Sequence, residues 1–260
     1  MTQGLNGRIA IVTGGGRGIG RATAIALAHV GVDLAVVARS ANEIEETADQ
    51  VRRLGRRAEA VVCDVTRRGD IEVTLEKVRA ALGEPSILVN NAGIAAGAKL
   101  ADTTDELWDR TMAVNVTGAF YWTRAMMPLM LKGDWGRVVN IASIAARAAA
   151  PYMVAYAASK HALLGLTRAV ASEVAAKGVT VNAICPGYVD TPMTEGSIEN
   201  IHARTGRSPE QARKILEGFS PQGRLMTAEE IASVAAFLCT DEARGINGQG
   251  IVLDGGGLQA

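Results

Sequence analysis

The chain has 260 residues, 48% hydrophobic and 21% charged, with 27 basic side chains against 27 acidic ones. That length supports one large domain or two small ones with a substantial core, and the hydrophobic content argues against disorder. The cancelled charge leaves no basic footprint for nucleic acid, and no apolar stretch approaches the roughly 20 residues of a membrane span. The opening MTQGLNGRIAIVTGGG lacks a secretory pattern, because its short apolar run leads straight into a glycine turn. Cys63, Cys185 and Cys239 are far apart in apolar runs, and His29, His161 and His202 make no metal-ligand spacing. They predict reduced core thiols, no metal site and a cytoplasmic protein.

In chain order, short apolar β-branched runs alternate with helical patterns. The runs RIAIVT, DLAVVA, AEAVVC, SILVNN, RVVNIA, VTVNAI and GIVLD predict seven strands. IGRATAIALAHV, EIEETADQVRRL and IEVTLEKVRAAL predict helices between them. Nearly continuous hydrophobic strands imply a parallel sheet buried on both faces. Repeated strand–helix–strand order predicts one doubly wound α/β Rossmann domain over 1–260, with helices on both faces and right-handed crossovers. The irregular stretch at about 188–224 carries Pro192, Pro209 and Pro221 with short helical patterns between them, and it follows the sixth strand. Such an excursion at a strand's C-terminal end predicts a substrate lid.

The first strand ends at Thr13, and Gly14, Gly18 and Gly20 follow within TGGGRGIG. Glycines there allow a sharp turn and close approach of a pyrophosphate, with Ile19 opening a helix whose N-terminus favours anions. The second strand ends Val36-Val37-Ala38-Arg39-Ser40, without the carboxylate that receives a free ribose 2′-hydroxyl. Arg39 can instead bind a 2′-phosphate, with Ser40 as a further donor and Arg17 adding positive charge. The expected cofactor is therefore NADP in its reduced form, NADPH. A phosphotransfer protein is disfavoured, since the turn lacks the Gly-Lys-Ser/Thr ending such sites require.

Tyr156 and Lys160 lie four apart in AYAASK, so a phenol and an ammonium share one helix face. A cation within about 4–6 Å favours a phenolate, which predicts a lowered tyrosine pKa and a general acid usable near neutral pH.

With these pieces in order, the chain resembles the short-chain dehydrogenase/reductase family from about 5 to 257, in its β-ketoacyl reductase and polyketide ketoreductase branch. The resemblance rests on TGGGRGIG, Asp64-Val65, NNAG at 90–93, Asn115 in MAVNVTG, Ser143, YAASK at 156–160 and PGYVDTP at 186–192. It implies that Ser143 hydrogen-bonds the substrate carbonyl, Tyr156 delivers the proton and Lys160 holds the nicotinamide ribose. Asn115 would hold a water linking Lys160 to solvent. It also implies that Asp64 and Val65 contact the adenine and that Asn91, Ala92 and Gly93 pass beside the cofactor. Pro186, Gly187, Val189 and Thr191 would frame the nicotinamide. The expected reaction is reduction of a 3-oxoacyl thioester or another bulky or cyclic ketone. The alternatives are an NAD-dependent secondary alcohol or 3-hydroxyacyl dehydrogenase, and a non-catalytic nucleotide sensor. Small residues flanking Ser143 leave room for a bulky ketone, and Arg147 is a candidate for a substrate anion with a solvated role favoured. The family, with the apolar VTGAFYWTRAMMPLML and LLGLTRAVASEV helices, predicts a homotetramer.

Overall fold

In a computed structural model, which describes residues 5–149 and 151–258, the seven predicted runs form one parallel sheet in the order β3-β2-β1-β4-β5-β6-β7. The strands are β1 (Ile9–Thr13), β2 (Asp33–Ala38), β3 (Ala58–Val62), β4 (Ile87–Asn90), β5 (Gly136–Ile141), β6 (Val179–Pro186) and β7 (Gly250–Leu253). Side chains alternate across a strand, so a strand apolar at every position feeds two cores. In β1, Ala10 and Val12 pack on one face with Leu27 of α1 (Gly18–His29), Ile44 of α2 (Ala41–Arg53) and Ile231 of the late helix 228–238. Ile9 and Ile11 pack on the other face with helices from the middle of the chain. These are α3 (Arg68–Ala81), α5 (Gly118–Lys132) and α6 (Val154–Val174), with α4 (Asp105–Met112) leading into α5. Trp122 of α5 is wholly buried there; burying a side chain of that kind stabilises by about 1.5–3 kcal/mol.

β1 pairs with β2 on one side and β4 on the other, so the winding direction reverses between β1 and β4. A crevice opens outside the carboxyl ends of strands at such a point, and the site lies there.

The stretch after β6 is largely helical where the sequence reads as irregular. α7 (Pro192–Thr205) and α8 (Pro209–Glu217) each start on a proline, and α9 (Ala228–Leu238) follows. Proline has no N–H to donate, but the first helical position needs none, so residues that read as breakers mark starts instead. Ser208 and Gln211 complete a capping box on α8. The excursion leaves and returns at one place. Asp190 N–H donates to Met226 O (2.8 Å) and Met226 N–H to Tyr188 O (2.9 Å).

Candidate active site

The glycine turn is defined by what side chains would strike. Gly14 and Gly18 have φ of 62° and 52°, in the left-handed region glycine favours. A Cβ on Gly20 would collide with the Gly14 carbonyl and the Asn91 amide, and one on Gly18 would lie 3.2 Å from Thr191 Cγ2. Backbone is thus exposed at the start of α1, where free N–H groups favour an anion. The residues present fit a dinucleotide.

Thr13, which the sequence reading passed over, fixes this turn to the next strand. Its Oγ1 accepts from Asn91 N–H (3.0 Å) and Ala92 N–H (3.1 Å). Asn91 Nδ2 donates to Thr13 O (2.9 Å) and Gly14 O (3.0 Å). A terminal threonine in an apolar strand is the only signal sequence offers for this. Asp64 accepts from Thr66 N–H (2.9 Å) and Thr66 Oγ1 (2.8 Å), and Val65 lies where a Cβ on Gly118 would come within 3.0 Å. These bonds and the Arg39 and Arg67 charges outweigh burial and hold the Asp64 carboxyl below its ordinary range.

Arg39 is exposed just beyond β2 and makes no ion pair or hydrogen bond among the described residues. Ser40 is the N-cap of α2, with its side chain unengaged in capping. Arg17 faces Glu43 at 3.6 Å, an acid the sequence reading missed because it lies in the first turn of α2 and not at the end of β2.

Asn115 sits in a wide π-turn, Ala113–Thr117, joining α4 to α5; such turns recur at functional sites. Its Oδ1 accepts from Ile94 N–H (2.8 Å), and its Nδ2 donates to Ile94 O (3.0 Å) and Ser159 Oγ (3.0 Å). Both amide hydrogens are spent clamping the loop after β4 to α6. Ser159 Oγ in turn donates to Tyr156 O (2.7 Å).

Ser143 is extended and buried, and its Oγ accepts from Ala145 N–H (3.1 Å), so its own proton remains available to donate. Lys160 is buried and donates to Ile141 O (2.8 Å), with Nζ 5.6 Å from the Tyr156 ring centroid. The expected depression of the Tyr156 pKa is not found. Burial pushes the phenol up, the Ser143 hydroxyl pulls it down, and the nearby Tyr188 phenol adds to the rise. Lys160 is itself pulled down to about 8 by burial, so its charge is full below that pH and is lost as pH rises through it. The ammonium is aimed at a carbonyl and not at the phenol, and desolvation penalises the charged form of each group.

Pro186 ends β6, and a Cβ on Gly187 would lie 2.9 Å from Asp254 Cβ. Val189 is buried, and Thr191 caps α7 beside Gly18. Arg147 departs from both readings of it. It is partly buried behind Ser143, donating from Nη2 to Gly250 O (2.6 Å).

The glycine turn, Asn115, Ser143, Tyr156 and Lys160 thus meet at one crevice. The family model described as enoyl-(acyl carrier protein) reductase matches residues 14–257. The chain belongs to the short-chain dehydrogenase/reductase family. It is 39% identical over 254 residues to a D-beta-hydroxybutyrate dehydrogenase of Rhizobium meliloti, spanning 96% of this chain and 98% of the relative. It is 37% identical over 252 residues to the 3-oxoacyl-[acyl-carrier-protein] reductase FabG of Pseudomonas aeruginosa, spanning 97% and 98%. The crystal structure of a single-substitution variant of actinorhodin polyketide ketoreductase with NADPH superimposes with a TM-score of 0.93 at 34% identity, covering 96% of this chain and 97% of that one. As a short-chain dehydrogenase/reductase, the protein is an oxidoreductase that binds a nicotinamide cofactor. Among the described residues, no group of three His, Cys, Asp or Glu side chains could hold a metal ion, and no helix is long and apolar enough to cross a membrane.

Proposed function

We propose that this short-chain dehydrogenase/reductase reduces a ketone to a secondary alcohol with NADPH, with Tyr156 as proton donor. The observation that carries the reading is the meeting of two hydroxyls, since Ser143 lies close enough to hydrogen-bond the Tyr156 phenol, which holds its proton at neutral pH and can donate it. Support for the reductive direction comes from relatives named as reductases. Ser143 offers a second O–H from a buried position, so two donors can converge on one carbonyl oxygen. Donors preorganised in a partly dry cleft stabilise an oxyanion more than water does. When bound, the nicotinamide supplies the hydride. Lys160 and the Asn91–Gly93 segment would hold its ribose side, and Pro186–Thr191 would frame the ring. For the phosphorylated cofactor, support comes from Arg39, which is uncommitted beyond β2, and from a relative solved with NADPH. The helical excursion is read as the lid, since lids close over substrate and exclude water.

The test removes one oxygen. Tyr156→Phe keeps the ring and should lower kcat by on the order of 10²–10⁴, the range of a general acid, with NADPH binding by fluorescence retained. Near-native turnover of a reducible ketone by this variant would end the mechanism.

A further inference from the structure

A cleft lies between the loop that follows the catalytic serine and the excursion. Ile144, next to Ser143, forms one wall; Tyr188, Leu216, Phe219 and Met226 form most of the rest. The Tyr188 and Phe219 rings pack 5.5 Å apart at 31°, and Phe219 is 60% exposed, so an aromatic face remains uncovered. Ile144 directly follows Ser143 in the chain, which places this chamber beside the catalytic serine.

Among the described residues, the chamber's charges are all spoken for. Its one basic lining residue, Arg224, donates from Nη2 and Nη1 to the two carboxylate oxygens of Glu230 (2.7 and 2.8 Å). Its one acidic lining residue, Asp254, accepts from the N–H groups of Gly256, Gly257 and Leu258. Nearby, Arg213 is held by Asp190 and Glu217, and Arg204 donates to Gly97 O. Arg207 and Lys214 are exposed and lie outside the chamber lining. An anionic substrate would have to displace a carboxylate from Arg224 while Asp254 repels it.

We infer that the substrate chamber takes an uncharged ketone carrying an aromatic or fused alicyclic ring, and discriminates against ketones bearing a carboxylate or phosphate. The inference rests on the ketone-reductase reading above. It separates this chain from relatives whose names imply a carboxylate or a carrier-linked thioester.

The test compares kcat/KM for 2-tetralone, methyl acetoacetate, acetoacetate and acetoacetyl-CoA, each with NADPH and with NADH. 2-Tetralone should lead, and methyl acetoacetate should exceed acetoacetate by up to about fivefold, the roughly 1 kcal/mol that one half-exposed charge pair can contribute. Glu230→Gln then serves as a gain-of-function arm. Glutamine suits the third position of a capping box, so α9 keeps its cap while Arg224 loses its counter-ion. Arg224 still donates to Leu225 O (3.2 Å), which keeps it at the wall. The acetoacetate-to-ester ratio should rise by up to about fivefold in this variant. Preference for acetoacetate or its CoA thioester, or an unmoved ratio in Glu230→Gln, would overturn the inference and leave the reductase reading standing. Failure of all four ketones with both cofactors would take down both.

Discussion

Backbone walls the cofactor end of the cleft, whereas charged side chains hold its mouth. At the first, Gly14, Gly18 and Gly20 crowd against Asn91, Ala92 and Thr191, and Thr13 bolts β1 to the segment after β4. At the second, Arg213 bridges Asp190 and Glu217, Arg204 reaches Gly97, and Arg224 grips Glu230, all at exposed or half-exposed positions. Close-packed backbone has no cheap way to yield, while surface ion pairs are each worth only about 0–1 kcal/mol and weaken with salt. On the proposed reading, rigidity lies where the cofactor would be held and compliance where a substrate would enter.

That contrast is sharpest at Gly20. Gly20→Ala drives a methyl into the Gly14 carbonyl and the Asn91 amide, neither the far end of a flexible chain. Overpacking of this kind costs about 1–3 kcal/mol, and at this rigid position we expect the upper end, on the order of 100-fold weaker binding of NADPH and NADH alike. Gly69→Ala is the control: in α3 a Cβ meets nothing within 4 Å. It should leave cofactor affinity unchanged and raise stability by about 0.5–1 kcal/mol, the helix preference of alanine over glycine. Equal affinities in Gly20→Ala and wild type, by fluorescence titration, would show that the turn yields as readily as the mouth.

A selective change tests the same end. Arg39→Ala should raise the NADPH KM about 10- to 100-fold while NADH use stays nearly constant, because a hydrogen bond to a charged group contributes about 1.5–3 kcal/mol. Placing Asp at position 38 as well should repel the 2′-phosphate and move the preference toward NADH. Side-by-side kcat/KM values decide it, and a wild-type enzyme favouring NADH would remove the phosphate-binding role. Glu43 tempers the field here, since it already neutralises part of Arg17.

What sequence showed and what it hid follow the same division. β2 comes out with the predicted ends, Asp33 and Ala38, because Leu34 to Ala38 form an unbroken apolar run, as a parallel strand covered on both faces requires. The glycine turn was legible because sterics demand glycine there. Asn115, Ser143, Tyr156 and Lys160 were legible as a pattern in register, and they converge in the structure. The side-chain bonds that tune them were not. Nothing local to Tyr156 shows that Lys160 turns to Ile141 O, so the phenol was expected to fall and is raised instead. Nor does an alanine-rich stretch reveal that Arg147 folds back onto β7. In the excursion, short helical patterns were legible, but Pro192 and Pro209 read as breakers where each in fact starts a helix. Arg204 and Gly97 lie 107 residues apart and Arg213 and Asp190 lie 23 apart, so no periodicity marks those two ties, whereas Arg213 and Glu217 sit at helical i,i+4 spacing.

The mouth should therefore respond weakly to losing one tie. Arg213 donates to both Asp190 oxygens (3.2 and 2.6 Å) and to Glu217 (3.1 Å), fastening α8 to the segment that leads from β6 into α7. Its side chain is 40% exposed, so water and salt compete for every bond. Arg213→Ala should raise the ketone KM by no more than about fivefold, equivalent to about 1 kcal/mol, with the NADPH KM unmoved. Amide exchange in α8 should quicken while exchange in β1 and α1 stays fixed, since local opening free energies follow local contacts. Sodium chloride at high concentration should reproduce part of the KM rise in the wild type and less of it in the variant, because the variant has already lost the screened pairs. A loss beyond 100-fold, or matching exchange changes in β1, would mean that the two ends of the cleft are coupled through α8. The mouth would then be as rigid as the glycine turn, and the division of labour drawn between them would fail.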